Sequence, residues 1–153
     1  MNIKAWDHLW LIEGLATLSE SEMMAFIFPE KIRNSQQYLI FDILTYAYDL
    51  DYDDVDLWPM NQRVEISEEI FKKFNFVSYY KAATILRSLK AAIGNETWRK
   101  GIQIFLQQMQ FTAAEPSDFY RALQKAYDEE NQKPKIDIAV LMKSWENQPG
   151  YPV

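Results

Sequence analysis

Cysteine is absent from this 153-residue chain, and histidine occurs once, as His8. The absence of cysteine excludes both a disulfide framework and a thiolate metal site. Because no second imidazole can join it, we expect His8 to lie at the surface or in helix packing and not to bind a metal. Long hydrophobic runs are also absent: no stretch approaches the roughly 20 apolar residues of a membrane span, and the amino terminus does not have the pattern of a signal peptide.

Basic residues are fewer than acidic ones: 16 Lys and Arg stand against 22 Asp and Glu, which gives a formal net charge of −6. This balance argues against a nucleic-acid backbone as the partner. It suits a cationic ligand such as a peptide amino terminus, although net charge also simply keeps a domain soluble.

Apolar and aromatic residues are abundant, at 48% and 15% of the chain. The length predicts a single domain, residues 1–153, that buries about 68–70% of its unfolded surface. We expect part of the apolar surface to serve a neighbouring piece of polypeptide.

Helical periodicity recurs along most of the chain and predicts an all-α fold, a compact array of six or seven helices. The pattern is clearest from about Ser78 to Ile93, where Gly94 should end the helix. Pro116 has the position of a first-turn residue for a helix through Tyr127. The other predicted helices cover residues 5–28, 30–48, 67–74, 95–109 and 136–145, and residues 49–65 are predicted to form an acidic loop.

The acidic loop has the spacing of the first three calcium ligands of an EF-hand, at Asp49, Asp51 and Asp53. However, Asp54 and Met60 stand where that loop needs glycine and glutamate. A solvated loop is therefore favoured over calcium binding.

Asn95-Glu96-Thr97 fits the N-glycosylation sequon. Asparagine is also a favoured residue at the start of a helix, where its side chain satisfies a free backbone N–H. We therefore favour a helix cap at Asn95 over a glycosylation site.

Glu13 is a carboxylate inside an otherwise apolar run. Burying such a charge costs free energy unless a cation or hydrogen-bond donors contact it. Glu13 should therefore either face solvent or have a specific partner. Trp6 and Trp10 share a helical face with Glu13, and we interpret them as core residues in preference to a substrate platform.

The segment around Glu13 resembles the W-x-D-x-L-W-L-N-E-G-F-A motif of the aminopeptidase N-like family of zinc metallopeptidases. Asp7-His8-Leu9-Trp10-Leu11-Ile12-Glu13-Gly14-Leu15-Ala16 keeps most of it, with Ile12 in place of Asn and Leu15 in place of Phe. The resemblance implies that Glu13 is the third zinc ligand. It also implies that the helices correspond to the helical lobe of a thermolysin-like catalytic domain.

Three further segments support the resemblance. Ser78-Tyr79-Tyr80-Lys81-Ala82 is similar to S-Y-x-K-G, which implies that Tyr79 hydrogen-bonds the oxyanion of the reaction, although Ala82 replaces Gly. Residues 93–101 resemble the family's L-G-E-E-x-F-R-x-G turn, and residues 145–153 resemble its W-T-x-Q-x-G-Y-P-V ending. We interpret Lys81 as a solvated helix charge.

The H-E-x-x-H motif, which supplies that family's other two zinc ligands and its general base, does not occur in this sequence. We therefore interpret the chain as the C-terminal part of the catalytic domain of a zinc-dependent aminopeptidase, inactive alone. Zinc is expected in the full-length parent and not in this chain. The alternatives are a non-catalytic helical scaffold or interaction domain descended from that family, and an unrelated helical bundle with coincidental motifs.

The expected partners follow from the resemblance: a peptide substrate in the parent and the remainder of the peptidase, with no nucleic acid and no membrane span in this chain. Without that remainder, Trp6, Trp10 and adjacent apolar residues should be exposed. An exposed apolar patch drives association. We therefore expect self-association through this face.

Overall fold

The computed structural model describes residues 2–28, 45, 47, 58–130 and 134–150. Within these ranges the chain forms six α-helices, which confirms the predicted all-α class. They are α1 (Leu9–Ile27), α2 (Ser67–Lys72), α3 (Ala82–Ile93), α4 (Asn95–Gln108), α5 (Pro116–Glu129) and α6 (Ile138–Asn147). A 3₁₀ turn, Trp6–His8, precedes α1, and a π-helical turn, Val77–Lys81, leads into α3.

Most of the predicted helix 30–48 lies outside the described residues, and so do Asp49, Asp51 and Asp53. The preference for a solvated loop over calcium binding therefore stays a prediction. None of the helices in the described ranges is both long enough and apolar enough to cross a bilayer.

Helix α1 begins later than predicted, because residues 6–8 form a tighter 3₁₀ turn. Within this turn, Oδ1 of Asp7 accepts a hydrogen bond from the backbone N–H of Val64 at 2.9 Å. This bond ties the start of the helix to a segment far along the chain. From there α1 runs into the core, where Leu9, Leu11 and Leu18 are buried.

Helices α4 and α5 pack closely because Gly101 has no side chain. A Cβ at Gly101 would lie 2.5 Å from Cδ2 of Leu123 and 3.0 Å from its Cα. Around this crossing, Trp98 and Phe105 meet the ring of Phe119 edge-on, with centroids 5.8 and 5.2 Å away. Edge-on aromatic contacts of this kind stabilise a core beyond the area they bury.

Gly94 separates α3 from α4, as predicted, with φ at 88°. This left-handed conformation favours glycine because a Cβ would clash there. The predicted cap at Asn95 is wrong: Gly94 itself is the N-cap of α4, and Asn95 is the first helical residue, with no side-chain capping bond. One glycine thus both ends α3 and starts α4. The last helix does have a side-chain cap, in which Asp137 accepts from the backbone N–H of Val140 at 3.0 Å.

A short parallel pair joins the amino-terminal segment to the α4–α5 connection. Strand β1 (Asn2–Ile3) pairs with β2 (Ala113–Ala114), and the N–H of Lys4 extends the pairing to the Ala114 carbonyl at 3.0 Å. Two-residue strands have no periodicity for a sequence pattern to show. The pair nevertheless fixes the entry to α1 against the second half of the helical array.

Candidate functional site

Glu13 and Tyr79 lie against each other, although they are far apart in the sequence. Glu13 is half-buried on α1, and Tyr79 is half-buried in the π-helical turn. The Tyr79 phenol lies close enough to the Glu13 carboxylate to be affected by it. Burial raises the pKa of the Tyr79 phenol, and the nearby Glu13 carboxylate, through its charge and as a hydrogen-bond acceptor, raises this pKa further. The phenol therefore stays protonated, and remains a donor, through the neutral pH range.

The close approach of α1 and α3 at Gly14 accounts for this pairing. A Cβ at Gly14 would lie 2.7 Å from the Cβ of Ala82 and 3.1 Å from its carbonyl carbon. Gly14 follows Glu13 directly, and Ala82 follows the turn that carries Tyr79. Because small residues let the two backbones come together, the neighbouring carboxylate and phenol are brought within hydrogen-bond reach.

The turn that carries Tyr79 is π-helical, a geometry that is rare and frequent at functional sites. Its beginning is held by Asn75, whose Oδ1 accepts from the N–H groups of Val77 at 3.0 Å and Ser78 at 3.2 Å. Asn75 was not among the residues predicted from the sequence. The available signal was an asparagine just before a predicted helix, which is a favoured capping position.

Lys81 closes the same turn and corrects a prediction. It was interpreted as a solvated helix charge, yet its side chain is buried, with only 3% of the residue exposed. Its Nζ donates to the carbonyl oxygen of Gly150 at 2.8 Å. A buried ammonium group needs such an acceptor, because burying it unpaired is costly. The end of the described chain therefore contacts the turn that carries Tyr79.

His8 belongs to a different cluster. Its Nδ1 lies 3.0 Å from Oδ1 of Asn61, and Asn61 donates through Nδ2 to Asn147 at 3.0 Å. Next to it, the Tyr120 hydroxyl donates to Glu146 at 2.9 Å. Burial raises the pKa of Glu146, whereas its bonds from Tyr120 and Asn147 act in the opposite direction. These contacts place His8 in helix packing.

A groove of about 780 Å³ lies between α5 and α6, near the same cluster. Charges of both signs line it, including Arg121, Lys143 and Glu146. Neither Glu13 nor Tyr79 borders it. The groove is therefore separate from the pair that the sequence motifs single out.

Exposed aromatic side chains flank the amino-terminal turn. Trp6 is 44% exposed, with its ring centroid 6.3 Å from that of Phe74, and Phe71 and Phe76 on either side of Phe74 are also exposed. We use the name aromatic face for the neighbouring rings of Trp6 and Phe74 together with Phe71 and Phe76, which are exposed and close to Phe74 in the sequence. The expectation of an exposed Trp10 is wrong, since its indole is fully buried in the core, as the core interpretation predicted. That core interpretation is wrong for Trp6, which is exposed. Trp6 and Trp10 differ because Trp6 lies in the 3₁₀ turn, outside α1.

A metal site needs several donor side chains that converge. A catalytic zinc site takes three protein ligands, and Glu13 offers one carboxylate. Among the residues that the structure describes, no three His, Cys, Asp or Glu side chains converge. These described residues therefore do not form a complete metal site by themselves.

Comparison with known proteins places the chain in a family. Residues 1–145 match the Peptidase family M1 domain. The chain is 33% identical over its full length to a probable aminopeptidase 1 from Sulfurisphaera tokodaii, and 30% identical to a leucyl aminopeptidase from Saccharolobus solfataricus, covering 18% of each. It is 34% identical over 97% of its length to the glutamyl aminopeptidase of Mus musculus, covering 15% of that protein. The chain thus spans less than a fifth of the length of these relatives, and it belongs to peptidase family M1.

Proposed function

We propose that this chain forms the helical part of the catalytic centre of a zinc aminopeptidase, with Glu13 as a zinc ligand and Tyr79 as the donor to the oxyanion. The observation that carries the proposal is the proximity of these two side chains, where α1 and the start of α3 approach closely at Gly14 and Ala82. Glu13 and Tyr79 come from two separate motifs that resemble those of the aminopeptidase family, and the fold brings the two residues together. The relatives named aminopeptidases support the reaction class.

The chemistry of the pair suits these roles. Bound zinc polarises a scissile carbonyl and lowers the pKa of a coordinated water. In this chain, the Glu13 carboxylate is held in a half-buried position where a cation would offset its desolvation. The Tyr79 phenol is a neutral donor, and neutral donors aimed at developing negative charge lower the barrier of acyl transfer. When the Glu13 carboxylate binds a cation, the O–H of Tyr79 is available to donate a hydrogen bond to a substrate oxygen.

The other two zinc ligands, the general base and the site for the substrate's amino terminus are proposed to come from polypeptide outside this chain. A structural zinc site draws about 10–16 kcal/mol from several pre-arranged ligands, and one carboxylate cannot approach that. The chain by itself is therefore proposed to be inactive.

The test has two arms. The chain alone should hold no zinc after dialysis and release no chromogenic amine from aminoacyl substrates, with or without added zinc. In a polypeptide that also contains the H-E-x-x-H histidines, metal analysis should find one zinc per chain, and Glu13→Gln should remove most of it because a neutral amide is a weak zinc ligand. Glu20→Gln, an exposed carboxylate on the same helix, is the matched control and should keep the zinc.

Zinc-dependent turnover by the chain alone would contradict its inactivity. Full zinc content in the Glu13→Gln variant would contradict the ligand role. A longer polypeptide that binds no zinc at all would favour the alternative, a non-catalytic helical scaffold.

The aromatic face is proposed to contact the remainder of the peptidase. In the chain alone, this face should drive self-association, because several large apolar side chains are exposed to solvent. We expect light scattering to show a dimer at high concentration. Phe71→Ser should weaken the dimer, since this side chain is 81% exposed, whereas Phe111→Ser, at a 98% exposed residue that does not belong to the aromatic face, should not. A clean monomer of the unaltered chain at high concentration would count against the proposal.

A further inference from the structure

Asn75 joins the end of α2 to the start of the π-helical turn. Its Oδ1 accepts hydrogen bonds from the backbone N–H groups of Val77 at 3.0 Å and Ser78 at 3.2 Å. On the other side, its Nδ2 donates to the carbonyl oxygen of Lys72, the last residue of α2, at 2.7 Å. Its own carbonyl oxygen accepts from the N–H groups of Ser78 at 3.1 Å and Tyr79 at 3.4 Å. One residue thus satisfies the first three N–H groups of the π-helical turn.

These N–H groups need acceptors from outside the turn. The first N–H groups of a helix have no carbonyl one turn earlier to bind, and Ser78 is buried, so water has little access to it. A buried N–H that is left without an acceptor costs free energy. Phe76, which directly precedes the turn, makes no side-chain capping bond. The side-chain bonds that start the turn therefore come from Asn75.

The geometry of the turn decides where Tyr79 points. A π-helical turn holds one residue more than an α-helical turn. If this turn relaxed to α-helical hydrogen bonding, its residues would rotate about the helix axis by up to about 100°, the angle between successive residues of an α-helix. Ala82, at the end of the turn, is fixed by its close approach to Gly14. The rotation would therefore fall on the residues before Ala82, and it would move Tyr79 away from the Glu13 carboxylate beside it.

We propose that Asn75 is a positioning residue, whose side-chain bonds to the N–H groups of Val77 and Ser78 keep the turn π-helical and thereby keep the Tyr79 hydroxyl beside Glu13. Asn75 acts through Tyr79 and does not itself touch the reacting atoms. Its importance for catalysis rests on the proposed function. Its hold on the turn is a property of this chain and is measurable without zinc.

Asn75→Ala and Asn75→Asp separate the two functions of the side chain. Alanine removes every side-chain bond, whereas aspartate keeps an acceptor for the turn and loses the donor to Lys72. Hydrogen exchange of the Val77 amide, followed by NMR in the chain alone, reports whether the turn is held, because Oδ1 of Asn75 is its acceptor. We expect this exchange to be about fivefold faster in Asn75→Ala, the usual consequence of losing a helix cap, and nearly unaltered in Asn75→Asp.

Kinetics in a polypeptide that contains the complete catalytic domain test the positioning itself. Asn75→Ala should lower kcat by about tenfold or more and change KM little, because a misplaced donor loses its effect in the transition state. Asn75→Asp should keep most of kcat. In a Tyr79→Phe background, Asn75→Ala should cause no further loss, because both changes act on the same hydroxyl. A residue that only stabilised the fold would not show this dependence on Tyr79.

Asp137→Ala is the matched control. Asp137 caps α6 by accepting from the backbone N–H of Val140 at 3.0 Å, so this substitution removes a cap of the same kind from a different helix. It should also destabilise the protein. It should nevertheless leave the Val77 exchange rate and kcat unchanged.

Four results would overturn the inference: unaltered Val77 exchange in Asn75→Ala, a kcat as low in Asn75→Asp as in Asn75→Ala, an equal loss of kcat in Asp137→Ala, or a further loss in the Tyr79→Phe background. If Asn75→Ala does not fold, Asn75→Gly removes the same side-chain bonds at a smaller cost in stability, and the same expectations apply to it. If Val77 exchange becomes faster as expected but Tyr79→Phe leaves a complete peptidase fully active, Asn75 holds the turn and the proposed catalytic role of Tyr79 fails.

Discussion

Tyr79→Phe, made in a polypeptide that contains the complete catalytic domain, should lower kcat about 10²–10³-fold, the usual cost of removing one oxyanion donor. The phenol would stabilise charge that exists only in the transition state, so KM should change little. The ring is retained, and the packing of the π-helical turn is therefore preserved. Steady-state kinetics with a chromogenic aminoacyl substrate measure both constants.

The neighbouring Tyr80 provides the control for this experiment. Tyr80→Phe keeps the ring that stacks on Phe76 at a centroid distance of 5.5 Å, and it should leave kcat within about twofold of the unaltered protein. Equal effects of the two substitutions, or an unchanged kcat for Tyr79→Phe, would exclude the oxyanion role.

Gly14→Ala should destabilise the chain and separate Glu13 from Tyr79. The added Cβ would lie 2.7 Å from the Cβ of Ala82 and 3.1 Å from its carbonyl carbon, and neither atom can move without the backbone of α3. Overpacking of this kind outweighs the better helix propensity of alanine, and we expect a net loss of about 2 kcal/mol. Urea unfolding followed by tryptophan fluorescence measures the loss, and the pKa of Tyr79 should fall in parallel.

Two further variants define the mechanism of this effect. Adding Ala82→Gly to Gly14→Ala removes the closest contact and should restore most of the stability and the Tyr79 titration. Gly101→Ala should also cost stability, because its Cβ would meet Leu123 at 2.5 Å, yet it should leave the Tyr79 pKa unchanged. If Gly14→Ala were as stable as the unaltered chain, the close approach at Gly14 would not govern the site.

The sequence predicted the helix boundaries correctly where a boundary depends on the backbone geometry of a single residue. The helix that starts at Pro116 and the break at Gly94 are confirmed, because proline and glycine act through their own backbone geometry. The start of α1 and the cap at Asn95 were mispredicted. In both cases the outcome depended on a neighbour: Asp7 is bonded to Val64, and Gly94 itself caps α4.

The candidate site was predicted in part. The motifs singled out Glu13 and Tyr79, and the fold brings these two side chains together, while their catalytic roles stay predictions. The burial of Lys81 was not predicted, because a lysine two residues from Tyr79 carries no signal of burial. Its partner, the Gly150 carbonyl, is a backbone group that any residue would supply, so no sequence pattern marks it.

The sequence by itself determined the helical class and the family, because both depend on which residue types recur at which spacing. The tertiary structure alone decided which charges are buried, which tryptophan meets water, and how a carboxylate on one helix reaches a phenol on another. These features depend on contacts between segments distant in the chain. The approach of α1 to α3 is one example, since the small residues Gly14 and Ala82 allow these two backbones to come close.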